Sequence, residues 1–111
     1  MADYFDPRER YQTFYAAPAD TNPATIYTCP SSWATIRAMH IAVNGASNVT
    51  VAINNGSDRP QMHTYALGAN TYVTLDLGHP VLNNGNTVKV TTSNADDAFF
   101  TLTVGEGYDE G

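Results

Sequence analysis

Basic residues are scarce in this sequence: Lys and Arg total five against eleven acidic residues, for a formal charge of −6. Binding nucleic acid requires a cationic face that displaces counterions from phosphates, so DNA and RNA are not expected partners. Charge of either sign is thin, at 14% of residues. The polarity comes from Thr, Asn and Ser instead, which favour strands and turns over helices. Cysteine occurs once, as Cys29, which excludes an intrachain disulfide and a multi-cysteine metal site. A nucleophilic thiol needs a His and an electropositive setting, so the expected role of Cys29 is a small buried hydrophobe at a strand end. No apolar run reaches the roughly 18 residues that cross a bilayer, and no basic-then-apolar leader opens the chain. The expectation is synthesis in a cytoplasm and no membrane partner.

Helical periodicity is missing as well; what the chain has is alternation with period two. In residues 48–54, Val49, Val51 and Ile53 point one way and Thr50 and Ala52 the other. Residues 72–77 place Val73, Leu75 and Leu77 on one side, residues 87–91 place Val88 and Val90, and residues 98–104 place Phe100, Leu102 and Val104. Such segments read as half-buried antiparallel strands, aliphatic toward a core and Thr-rich toward solvent. In residues 33–44 a three-residue step from Ile36 to Met39 interrupts the two-residue step through Ile41 and Val43. A β-bulge near Arg37 and Ala38 restores one inward face; a strand buried on both faces is the alternative. Asn83-Asn84-Gly85-Asn86 and Asn55-Gly56-Ser57-Asp58 supply Asn-Gly turns, and residues 93–97 make a polar link. At 111 residues there is room for one domain. The expected fold is all-β, a single antiparallel β-sandwich of jelly-roll or Greek-key type with about seven or eight strands.

Three parts follow: residues 1–23, an extended N-terminal arm; residues 24–105, the sandwich; and residues 106–111, an acidic tail. Pro7, Pro18 and Pro23 among dense charges argue against a core strand in the first part. Its aromatic content exceeds that of an idle tail. Tyr4, Phe5, Tyr11, Phe14 and Tyr15 are candidate apolar anchors for a partner, with Arg8 and Arg10 available to carboxylates.

Constellations that carry chemistry are not evident. Asp58, Asp76, Asp96 and Asp97 are scattered, and nothing pairs two carboxylates across a cleft; Asp96-Asp97 reads as a solvated turn in preference to a calcium loop. His40, His63 and His79 lack paired-ligand spacing. Ser31, Ser32 and Ser57 lack a nucleophile-elbow context. No cofactor, metal or enzymatic activity is expected. Exposed aromatics offer a second functional class, because small β-sandwiches grip sugars with them. Trp33, Tyr65 and Tyr72 are the candidate glycan contacts, although a Trp at a sandwich end is more often a core plug.

The order of Ile26-Tyr27-Thr28-Cys29-Pro30, Ala34-Thr35-Ile36, His40-Ile41 leading to Asn44, Val49-Thr50-Val51, Leu75-Asp76-Leu77 and Gly85-Asn86-Thr87-Val88-Lys89-Val90 resembles small virion proteins of tailed bacteriophages. Those are β-sandwich modules of capsid decoration, cement, fibre or tail-accessory type. The resemblance covers residues 24–104 and implies a non-enzymatic structural protein located in the virion. Its expected partners are the major capsid protein or another virion protein, together with copies of itself, a trimer being favoured. A carbohydrate- or receptor-binding module of a tail or fibre is the alternative.

Overall fold

The computed structural model describes residues 9–30, 33–54, 61–75, 77–78, 80–95 and 97–107. These form nine strands: β1 (Glu9–Ala16), β2 (Ala24–Thr28), β3 (Trp33–Val43), β4 (Ser47–Asn54), β5 (Gln61–Leu67), β6 (Thr71–Leu75), β7 (Val81–Asn83), β8 (Thr87–Thr92) and β9 (Ala98–Gly107). They build two antiparallel sheets that pack as a sandwich. The first has the order β1-β9-β3-β6, with β7 also paired to β3; the second has the order β2-β8-β4-β5. Read across the two sheets, the positions are occupied by β1 with β2, β9 with β8, β3 with β4 and β6 with β5. That nesting is the jelly-roll arrangement, in which β7 is a short addition.

Period-two alternation sets the core. Ile36, Met39, Ile41, Val43, Val49, Val51, Ile53, Leu77, Val88, Val90, Phe100, Leu102 and Val104 are buried as their phase predicts, and Val73 and Leu75 pack half-buried against them. Each full burial of such a side chain contributes about 1.5–3 kcal/mol before ordering costs. The bulge also lies where the three-residue step places it: the β3–β9 register shifts between Ile36 and Ala38. A second shift, between Thr25 and Tyr27 on β2, puts the adjacent Ile26 and Tyr27 both inside. Cys29 is buried just beyond β2. Gly85, at φ 88°, closes the predicted Asn-Gly turn between β7 and β8, where the Asn86 amide donates to the Asn83 carbonyl at 3.0 Å.

The N-terminal segment, read as an extended arm whose prolines and charges argue against a core strand, contains a strand of the first sheet. Glu9–Ala16 forms β1, paired residue for residue along β9 from Glu9 opposite Gly107 to Ala16 opposite Phe100. Pro18 and Pro23 fall beyond the strand's end, and Pro7 lies outside the described residues. The chain's other end departs from its reading in the same place: Glu106 and Gly107, expected in a tail, are buried residues of β9.

Candidate functional site

The outer face of the first sheet carries the exposed aromatic surface. On β9 the phase that buries Phe100 and Leu102 turns Phe99, Thr101 and Thr103 outward. On β1 it turns Tyr11 and Tyr15 outward while Phe14 packs inward. Beyond the bulge, β3 presents His40 and Ala42, and β6 presents Tyr72 and Thr74. Register then assembles two rows across the strands. One runs Tyr15, Thr101, His40, Thr74; the next runs Phe99, Ala42, Tyr72.

The rings are held in two stacked pairs. Tyr15 and Phe99 lie 5.9 Å apart at 24°, and His40 and Tyr72 lie 6.0 Å apart at 18°. Such offset, near-parallel pairs are favourable beyond the area they cover. Tyr72 Oη is 3.2 Å from His40 Nδ1, and the same nitrogen is 2.9 Å from Thr74 Oγ1. These contacts fix the imidazole plane beneath the Tyr72 ring. Tyr15 remains 63% exposed, Tyr72 66% and Phe99 45%. At the end of the Phe99 row is a cavity of about 240 Å³ lined by Ala17, Ala42, Asn44, Asp97, Ala98 and Phe99. The Asp97 carboxylate lies so close to Gly45 that a Cβ there would come within 2.7 Å of Oδ2. Gly45 is therefore the residue that admits it.

A second constellation lies inside, under β1. Glu106 on β9 accepts a hydrogen bond from Tyr27 Oη at 2.5 Å and one from Gln12 Nε2 at 3.0 Å. The ring of Phe14 sits 4.9 Å from that of Tyr27. Burial first, and then the hydrogen bond to Glu106, push the Tyr27 phenol well above the usual tyrosine range. This phenol is a locked donor and no general acid near neutrality. The arrangement fastens β1 to β9 and β2 through one shared carboxylate.

Of the predicted partner-binding residues, Tyr4, Phe5 and Arg8 lie outside the described residues. Tyr11, Tyr15 and Arg10 are exposed on β1, and Phe14 is half-buried against the core. The candidate glycan residues separate. Trp33, half-buried and out of phase with the inward Ala34 and Ile36 of β3, lays its indole over Gly107, where a Cβ would clash with Cε2, and is not part of the buried core. Tyr65 packs half-buried against the core. Of the three, Tyr72 falls within the two aromatic rows, three strands away from Tyr15 of the other candidate set. Phe99, His40 and Ala42 had no signal of their own, because their grouping depends on the register of three strands. His40 is hydrogen-bonded within the sheet. Asp76, His79, Asp96, Ser31, Ser32, Ser57 and Asp58 lie outside the described residues. Among the described residues no group of three or more His, Cys, Asp or Glu is placed to hold a metal ion, and no helix is long and apolar enough to cross a membrane.

No protein-family model matches the chain, and no curated protein matches it. Among solved structures, a protein from the work describing Bacillus endospore appendages as a family of disulfide-linked pili is similar in fold. The two superpose with a TM-score of 0.55 over 98% of this chain and 98% of that one, at 14% sequence identity. At that identity the likeness is one of fold, and it extends from the β1 end of the sandwich to β9.

Proposed function

We propose that this chain is a non-enzymatic structural subunit that associates with copies of itself on the surface of a larger particle. The setting we propose is a bacteriophage virion, with the major capsid protein or another virion protein as partner and a trimer as the working unit. The observation that carries the reading is the place of β1 at the margin of the first sheet, where among the described residues it is paired along β9. This strand is eight residues long, has no proline within it and is free of the register shift seen in β2. An edge of that kind is a template for another chain unless it is blunted. It also carries Tyr11 and Tyr15 outward, the residue type in which interface cores are enriched. The opposite end of the sandwich offers β5, seven residues with no Lys, Arg, Asp, Glu or Pro.

The endospore pilus protein supports the coarser class, since its fold serves an assembled appendage. Its disulfide linkage does not transfer, because Cys29 is buried here. Association that occurs only in the assembled lattice stabilises that lattice by mass action. Particles assembled without the chain are therefore expected to lose resistance to heat and to low salt. Survival equal to that of complete particles contradicts a cementing role.

A further inference from the structure

We infer that the outer face of the first sheet binds a neutral oligosaccharide, laid across the strands from Tyr72 over Ala42 to Phe99 and Tyr15. This goes beyond the structural role and stands on separate observations. Phe99 and Tyr72 both register against Ala42, so their rings rise on either side of a methyl group, about 10 Å apart by strand spacing. That leaves a shallow trough one disaccharide long. Aromatic faces carry the negative lobe of the ring quadrupole, and the C–H edges of a pyranose are their complement. The rings are preorganised by their stacking partners, so little freedom is lost when a ligand arrives. Hydroxyl groups find acceptors and donors at the margins: Thr101 and Thr74 in the adjoining row, and Asn44 and Asp97 at the cavity beside Phe99.

Charge selects among the ligands that stack on rings. A nucleic acid also stacks on exposed aromatics but needs cations for its phosphates. The two outward rows, Tyr15, Thr101, His40, Thr74 and Phe99, Ala42, Tyr72, contain no Lys or Arg, and the chain is acidic overall. The same lack of cations disfavours a sulfated or sialylated glycan. Size selects against a protein. The aromatic strip spans three strand spacings and a few residue steps, on the order of 150–200 Å² by sheet dimensions. A stable protein interface needs roughly 800 Å² on each partner. A strip of this area fits a few sugar rings.

The test is an array of neutral tetra- to hexasaccharides built from glucose, galactose, mannose or N-acetylglucosamine, probed with the full chain and followed by calorimetric titration of the best binder. Saturable binding is expected. Tyr72→Ala and Phe99→Ala are each expected to weaken it by about tenfold or more. Met62→Ala, a 62% exposed residue of the second sheet, is expected to leave it unchanged. Thermal unfolding of every variant separates lost binding from lost folding. No saturable binding on any saccharide overturns the inference, as does binding that Tyr72→Ala leaves intact. Self-association abolished by Tyr72→Ala with no saccharide bound overturns it in favour of a second copy on this face. The first two outcomes leave the reading of the β1 edge untouched; the third replaces that edge with this face as the interface between copies.

Discussion

On the second sheet the outward rows read Lys89, Ala52, Met62 and then Thr91, Thr50, Thr64; on the first they read Tyr15, Thr101, His40, Thr74 and then Phe99, Ala42, Tyr72. The inward rows of the two sheets are both largely aliphatic, with Phe100 buried in the first and Tyr27 in the second. Burial explains the inward rows completely, because either sheet folds only if that face leaves water. It explains neither outward row. The second sheet takes the cheap solution, β-branched hydroxyl residues that suit a pleated surface and bond across strands, as Thr50 and Thr64 do at 3.1 Å. The first keeps three large rings in water on the same kind of surface. A fold does not require that, which is why the difference between the faces is where function is sought.

The comparison is broken most severely by removing the strand that only the first sheet has at its β1 edge. Deleting residues 1–17 strips β9 of its pairing over eight residues, Tyr27 of the Phe14 ring and Glu106 of Gln12. A sandwich that began at residue 24 would keep its fold without this segment. With β1 an integral jelly-roll strand, its loss consumes a large share of the roughly 5–15 kcal/mol available to a small domain. Urea unfolding is expected to lose its cooperative transition; an unchanged midpoint would show β1 to be merely appended.

Tyrosines on the two sides of the first sheet sharpen the contrast. Tyr27→Phe leaves the buried Glu106 short of a donor, at a cost of about 1–3 kcal/mol. Tyr72→Phe removes an exposed hydrogen bond to His40 and is expected to stay within about 0.5 kcal/mol of wild type. Equal midpoints for the two variants in thermal unfolding would contradict the assignment of Glu106 as a buried latch. The same phenol sets an alkaline limit. In the unfolded chain Tyr27 ionises near its ordinary value of about 10, whereas in the folded chain its pKa is raised. The folded state is then the one that holds the proton, so stability falls as pH rises above about 10, by at most about 1.4 kcal/mol per pH unit. Tyr27→Phe removes this contribution, and its stability is expected to fall less steeply with pH than that of wild type.

An effect of similar size reads the Trp33 corner. Gly107→Ala pushes a Cβ into the indole of the chain's one Trp, with an overpacking cost of about 1–3 kcal/mol and a red-shifted Trp emission as the ring moves into water. Smallest of all are exchanges of the outward rows. Tyr72→Thr, which makes the first sheet resemble the second, is expected to change stability by no more than about 0.5 kcal/mol. A larger loss would mean that the aromatic face is structural after all.

How much of this was legible before the structure follows from what each feature depends on. Strands β3, β4, β8 and β9 were legible because their inward residues are aliphatic at strict two-residue spacing, and even the bulge was visible as the three-residue step at Ile36. Strand β1 was not, because its inward positions include Gln12 and Phe14, which cover Tyr27 and Glu106 in place of a greasy core. A strand whose inner face is half polar has no hydrophobic period to read. Glu106 was hidden by its acidic neighbours, since nothing local distinguishes a buried carboxylate from a tail. Tyr72 was legible as a candidate and Tyr15 as another, but their shared face was not. It exists only through the register of β1, β9, β3 and β6, which brings residue 15 beside residue 99 and residue 40 beside residue 72.

The most direct test of the assembly reading is sedimentation of the purified full chain across a concentration series, alongside Tyr11→Glu, which puts a charge on the β1 edge. The account predicts that the wild-type mass rises to a trimer or a larger multiple of 12.0 kDa and that the variant, with unchanged thermal unfolding, stays smaller at every concentration. A wild-type chain that remains monomeric up to its solubility limit, or a variant that assembles as well as wild type, contradicts it.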